Sequence, residues 1–200
     1  IMRRKNGSLH WVSNTSRAVR DEHGTILYYE GTIEDITSRK SAEESVKQLK
    51  QTLLGTLHAL SQSIEIREPG ITGHHKGVSN LGSAIAGAMG LDDDMAESIR
   101  IAGLVHDIGN MSVPSEILSK PGRLSEMEYN FVKLHPRSGY DILKETGLPY
   151  PVAEIVLQHH ERMNGSGYPQ GLKGKEMLLE ASILVVADVV EAMVSPRPYR

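Results

Sequence analysis

The chain has 200 residues, 39% of them hydrophobic and 24% charged, a net charge of −3 and no cysteine, which is room for one full globular domain plus a smaller piece. The charge balance gives no reason to expect DNA or RNA binding, and without cysteine there are no disulfides, thiolate zinc sites or cysteine nucleophiles. No apolar run approaches the roughly 18 residues of a membrane span, no signal peptide is visible and Ile1 is not a natural start, so a piece of a longer cytoplasmic protein is expected, with an upstream membrane anchor left open.

Residues 1–37 read as strands. Lys5-Asn6-Gly7-Ser8 carries a hairpin turn signal, and Leu9 to Val19 follows with Trp11 as its largest apolar anchor. Asp21-Glu22-His23-Gly24 is a second turn before the β-forming run from Ile26 to Ile36. Two or three strands do not make a stable domain alone. With Asn6-Gly7-Ser8, Trp11-Val12, Asp21-Glu22-His23-Gly24 and Tyr29 to Thr37, the segment resembles the C-terminal half of a PAS sensor domain. A terminal Asp-Ile-Thr followed by a charged helix is typical of that family.

Residues 38–67 predict a linker helix. Ala42, Val46, Leu49, Leu53, Leu57, Leu60 and Ile64 recur every three or four positions, as in a coiled-coil seam. The seam favours a parallel homodimer near Leu49–Leu57, with 38–59 as linker and the later part joining the next core; a single helix packed on that domain is the alternative. A stiff helix between a sensor and a second domain could transmit a rotation or a register change.

Beyond residue 67 the pattern is almost wholly helical. Glu68-Pro69-Gly70 breaks the long helix. A helix from about His74 to Met89 ends at Gly90, and Asp92-Asp93-Asp94 opens the next. That helix places Ile101, Leu104, Val105 and Ile108 on a core face, holds His106-Asp107 at its end and is expected to be capped by Gly109. Ser125 to Glu128 is a capping box for a helix reaching about His135, where Pro136 should stop it. Tyr140 to Glu145 and Pro151 to His160 are helical. The loop from Asn164 to Gly171 precedes a last helix, about Leu178 to Val194, apolar nearly all round with Asp188 in its middle.

This leaves candidate metal ligands on separate helices or helix ends: His74, His106, Asp107, His135, His159, His160 and Asp188. Any one histidine is more often structural than a ligand. Asp188 is different, because a carboxylate in so apolar a helix is rarely without a partner. Imidazole plus carboxylate suits iron, manganese or zinc. So many ligands exceed the needs of one ion and fit two ions about 3.5–4 Å apart, with Asp107 as the natural bridge. His10, His23 and His58 stay outside this set, and His75 reads as a supporting or solvated neighbour of His74.

The matching pieces are Gly73-His74, His106-Asp107-Ile108-Gly109, Ile117 to Gly122, His135-Pro136, His159 to Arg162, Gly165-Ser166-Gly167-Tyr168-Pro169, Ala187 to Ala192 and Arg197 to Arg200. Together they resemble the HD-GYP family, a branch of the HD metal-dependent phosphohydrolases, over residues 60–200. The resemblance implies a mainly α fold: an HD-type helical bundle preceded by the short antiparallel β fragment and the linker helix, and C-terminally incomplete here. It implies a phosphodiesterase hydrolysing cyclic di-GMP to linear pGpG, and in some members on to GMP, with divalent metals, commonly non-haem iron or manganese.

By that resemblance His106 and Asp107 form the catalytic pair. Asp107 bridges both ions; His106, Asp188 and His74 serve one, and His135, His159 and His160 the other. Trinuclear members carry a Glu where this chain has Gly70, with Glu68 the nearest carboxylate, which argues for two metals. Asn110, Tyr168, Arg197 and Arg200 match positions that face substrate, and Arg suits phosphate through its planar donor fork. Two departures stand out. Asn110 replaces a Lys that sits near the scissile phosphate, and Asn164 replaces an Asp that Asn can imitate in a turn. The first opens an alternative, a catalytically weak or inactive cyclic di-GMP-binding or protein-interaction module that contacts other signalling domains. A third reading, a two-metal phosphohydrolase of another nucleotide, is disfavoured by the Gly-Tyr-Pro loop.

Overall fold

The hairpin Val12–Arg20 (β3) with Ile26–Asp35 (β4) is the main β element, and a short pair, Met2–Arg3 (β1) with Leu9–His10 (β2), precedes it. The computed structural model describes residues 1–3, 7–67, 72–148 and 150–195. Its contacts divide it into two units, Ile1–Leu53 and Leu54–Arg200. In the first, both strand pairs are antiparallel, with Val12 opposite Asp35 and Ala18 opposite Tyr29. Asp21 closes the tight turn by accepting from the His23 and Thr25 amides, each at 2.9 Å. Trp11 is 46% exposed and so is no core anchor. A two-stranded ribbon has no second layer to cover its apolar side chains. The predicted turn at Lys5-Asn6 lies outside the described residues.

Helix α1, Thr37–Glu65, crosses the division between the units. Its first part exposes Val46 and Leu49. Its second part buries Leu57, Ser61, Ile64 and Glu65, with Leu54 packed alongside. Leu60, predicted on the apolar seam, is 45% exposed. The buried stripe keeps the predicted Leu57 and Ile64 but takes Ser61 in place of Leu60 and adds Glu65, because Ser61 and Glu65 meet polar partners there.

The second unit is built from α2 (His74–Ala88), α3 (Asp93–Val105), a 3₁₀ turn at Ile108–Ser112 and α4 (Ser115–Leu118), followed by α5 (Glu126–Val132), α6 (His135–Leu143), α7 (Val152–Gln158) and α8 (Leu179–Val194). Val78, Leu104, Val105, Ile155, Val156, Leu184 and Ala187 are fully buried at its centre. Close helix crossing depends on Gly103, where a Cβ would lie 2.6 Å from Ser79 Cα.

Several local signals hold. Asp92 caps α3 by accepting from Met95 N at 2.8 Å, and Gly90 takes the left-handed conformation at φ 70° after α2. Ser125 and Glu128 form the capping box of α5. Pro136, however, does not stop that helix. α5 ends at Val132, and Pro136 lies in the first turn of α6, where its missing N–H has no helical partner to lose. Gly109 is not a cap either: it lies in the 3₁₀ turn pressed against the start of α6. Among the described residues, no helix is long and apolar enough to cross a membrane.

Candidate metal centre

One local device sets three of the predicted ligands. His106 follows α3, His135 follows α5 and His159 follows α7, where the last helical carbonyls lack intrahelical donors. Each ring turns its Nδ1 onto the carbonyl three residues back: Gly103 at 3.0 Å, Val132 at 2.7 Å and Val156 at 2.6 Å. A carbonyl only accepts, so Nδ1 carries the proton and Nε2 presents its lone pair.

Those lone pairs converge on Asp107. Its Oδ2 lies 3.2 Å from His106 Nε2, and its Oδ1 lies 3.3 Å from His135 Nε2 and 3.7 Å from His159 Nε2. The Nε2 atoms of His135 and His159 are 3.1 Å apart. Acceptors facing acceptors in a buried site repel one another, and a divalent cation between them turns that conflict into coordination. The donor chemistry, imidazole and carboxylate without thiolate, fits such an ion.

The ligand atoms fall into two groups that share Asp107: one with His135, His159 and His160, the other with His74 and His106. Asp188, from the middle of α8, reaches His74 Nε2 with Oδ1 at 3.2 Å. The Tyr168 ring packs 4.9 Å from that of His160. Asn110 is buried in the 3₁₀ turn, its carbonyl accepting from Arg67 at 3.2 Å. Arg197, Arg200, Glu68 and Gly70 lie outside the described residues. Asn164 keeps the turn role expected of it, its Oδ1 accepting from the Ser166 amide at 3.0 Å and hydroxyl at 2.7 Å.

The electrostatics keep the ligand set in its binding form. Burial opposes ionisation of Asp107, yet His106 beside it holds the carboxyl well below the usual carboxylate range. Burial likewise works against Asp188, but the His74 hydrogen bond and the charge of His106 hold it at about 2. Burial drives His135 down to about 4 despite Asp107. Burial and the neighbouring His159 push His160 down to about 2. His106 and His74 are the exceptions: against burial, Asp107 raises His106 to about 10, so in the absence of metal a proton occupies that pair, and against burial the Asp188 and Glu191 hydrogen bonds raise His74 above its usual value.

Four residues without an assigned role in the sequence reading support the site. Glu191, one turn beyond Asp188, hydrogen-bonds His74 Nδ1 and fixes that ring. Glu161, fully buried, accepts from the amides of Gln170, Gly171 and Leu172 at 2.7, 3.2 and 3.0 Å and so holds the loop that carries Tyr168. Arg67 donates to the carbonyls of Asn110, Met111 and Val113 and pins the turn after Asp107. Glu65 accepts from the amides of Gly73 and His75 at the start of α2. The available signal was a charged residue within an apolar helical phase, clearest for Glu191 in α8. His75 is fully buried rather than solvated.

Gly109 keeps the turn and α6 in register: a Cβ there would lie 1.8 Å from the His135 carbonyl oxygen and 2.6 Å from Gly139 N. Both neighbours are backbone and cannot rotate away. Gly109→Ala is therefore expected to destabilise the protein by about 3 kcal/mol and to lower its metal content, read by calorimetry and metal analysis. An unchanged melting temperature would show that the turn can shift.

The HD domain family model matches residues 58–200. The chain belongs to the HD domain family. It is 39% identical over 178 residues to the cyclic di-GMP phosphodiesterase response regulator RpfG of Xanthomonas campestris pv. campestris, covering 80% of this chain and 47% of that protein. It is 40% identical over 127 residues to 3'3'-cGAMP-specific phosphodiesterase 1 of Vibrio cholerae, covering 64% and 30%. The chain thus spans less than half the length of these curated relatives. Among solved structures, the L. monocytogenes phosphodiesterase PgpH HD domain in complex with cyclic-di-AMP superposes with a TM-score of 0.52 at 27% identity, over 70% of this chain and 75% of that one. The mainly helical HD bundle expected from the sequence is therefore the fold of the second unit.

Proposed function

We propose that this HD domain is of the HD-GYP type and hydrolyses cyclic di-GMP with two divalent ions, non-haem iron or manganese, yielding pGpG, GMP or both. The observation that carries this reading is the convergence of buried imidazole lone pairs on one carboxylate, Asp107. The names of two relatives, a cyclic di-GMP phosphodiesterase and a 3'3'-cGAMP-specific phosphodiesterase, and the complex of the PgpH HD domain with cyclic-di-AMP support the substrate class. His74, His106 and Asp188 would hold one ion and His135, His159 and His160 the other, with Asp107 common to both. Bound ions there would supply an activated water and charge stabilisation at the phosphoryl oxygens.

The residues of the chain do the rest. The backbone carbonyls that accept from Nδ1 keep His106, His135 and His159 in the ligating tautomer. Tyr168 packs on His160, and burial raises its hydroxyl above the usual range, so it stays a neutral donor that would face the substrate. Arg197 and Arg200 would bind phosphate. In the reaction, water attacks phosphorus, the bond to the 3′-oxygen breaks and that oxygen leaves with a proton. Regulation by a PAS sensor through a parallel dimer of α1 belongs to the same proposal; the exposed Val46 and Leu49 suit such a seam.

Asn110 favours a second reading, a binding module with weak or no turnover. The complete protein, purified anaerobically, is to be analysed for metal and assayed with iron and with manganese on cyclic di-GMP, 3'3'-cGAMP and cyclic di-AMP. Cyclic di-GMP cleavage at two equivalents of metal is the expected result. Metal-loaded protein that binds the dinucleotide and never cleaves it sinks the enzyme reading, and a rate increase in Asn110→Lys would locate the defect.

A further inference from the structure

We propose that His75 is a positioning residue for Asp107, donating its Nε2–H toward Oδ2, and that Ser61 of α1 fixes the tautomer that puts the proton there. The inference rests on the metal-centre reading above.

His75 differs from its neighbours in what its Nδ1 meets. His106, His135 and His159 place Nδ1 on a carbonyl, which demands a proton on that nitrogen and frees Nε2 as a ligand. His75 Nδ1 instead faces the Ser61 hydroxyl at 3.0 Å. A hydroxyl in a helix ordinarily donates to the carbonyl four residues back. Within α1, Ser45, Thr52 and Ser63 do so, each at 2.9 Å. Among the described residues the Ser61 hydroxyl has no such partner, so its proton goes to His75 Nδ1. Glu65 Oε1 is 3.6 Å from the same nitrogen, beyond normal hydrogen-bond reach, and accepts from the His75 amide, while Oε2 accepts from Gly73 N. With Nδ1 accepting, the ring proton of His75 resides on Nε2.

That nitrogen is buried, has no hydrogen-bond partner among the described residues and lies 3.6 Å from Asp107 Oδ2. A buried donor left unpaired is unfavourable. Closing by roughly half an ångström brings it into ordinary range, and such contacts commonly tighten when a site is filled. The donor lies on the Oδ2 side, while Oδ1 faces His135 and His159. It therefore sets the rotation of the carboxylate that both halves of the site share. Because Ser61 and Glu65 belong to α1, the last turns of that helix are part of the support of the site.

The test uses the complete protein, metal-free and ¹⁵N-labelled at histidine. Long-range ¹H–¹⁵N correlation spectra should show His75, assigned by its loss in His75→Gln, as the Nε2–H tautomer, and His135 and His159 as Nδ1–H. Ser61→Ala should weaken the His75 preference. In Mn²⁺ titrations His75→Ala should lower affinity about 10–100-fold, and His75→Gln, whose amide keeps a donor at similar reach, should recover most of it. An Nδ1–H tautomer at His75 overturns the proposal. So does wild-type Mn²⁺ affinity in His75→Ala, or an equal loss in the alanine and glutamine variants. A wild-type protein that binds no Mn²⁺ sinks the metal reading itself, and the tautomer spectra then still decide the Ser61–His75 assignment.

Discussion

Asp107→Asn is expected to abolish binding of two metal equivalents and to lower phosphodiester turnover by about 10³-fold or more. Among the described residues, the carboxylate is the one group within reach of both halves of the ligand set. Metal ions contribute several kcal/mol of transition-state stabilisation, at about 1.4 kcal/mol per tenfold in rate. The substitution keeps the shape of the side chain and removes its charge. Circular dichroism should therefore report an intact helical domain while metal analysis reports the loss. The amide also offers one oxygen where His106 and the His135–His159 pair face separate oxygens of Asp107. A variant that retains two equivalents and ordinary turnover would refute the bridging role.

The second large effect lies away from the ligands. Glu161→Ala removes a fully buried carboxylate and leaves three backbone donors, at Gln170, Gly171 and Leu172, without their acceptor. Removing one side of a buried charged hydrogen-bond set costs about 3–5 kcal/mol. The loss should first appear as local opening of the loop that carries Tyr168. Amide hydrogen exchange at those three positions is expected to accelerate by about 10²-fold or more, and cyclic di-GMP turnover to fall with it. Glu161→Gln keeps one acceptor oxygen and should fall between wild type and alanine. The loop has little freedom to compensate, because a Cβ at Gly167 would lie 2.4 Å from Arg162 N and from Glu161 Cα. Unchanged exchange in the alanine variant would show that other bonds hold the loop.

The sequence by itself determined the elements that rest on local chemistry. Period-3.6 apolar spacing placed α2, α8 and the start of α3 to within a residue or two, although α3 ends at Val105 and not at Ile108, and the side-chain caps at Asp92 and Ser125 lie where their residue types call for them. The candidate ligands were legible because imidazoles at helix ends and a carboxylate in an apolar helix are conspicuous against their surroundings. That His106, His135 and His159 share one hydrogen-bonding device was not legible, since it depends on ring rotation about each helix end.

Only the tertiary structure decided which polar residues turn inward. Ser61 is 3% exposed and Leu60 45%, although apolar spacing assigns the reverse. Adjacent helical positions differ by about 100°, and the phase of α1 follows the partners that Ser61 and Glu65 meet across it, His75 and the first amides of α2. The same holds for Pro136, which starts α6 because α5 has already ended, and for Gly109, whose role is set by a carbonyl 26 residues further along the chain. Local propensity is a property of neighbours in sequence. Burial of a charge is decided by what packs against it, and in this protein the groups that support the candidate ligands come from segments far apart in the chain.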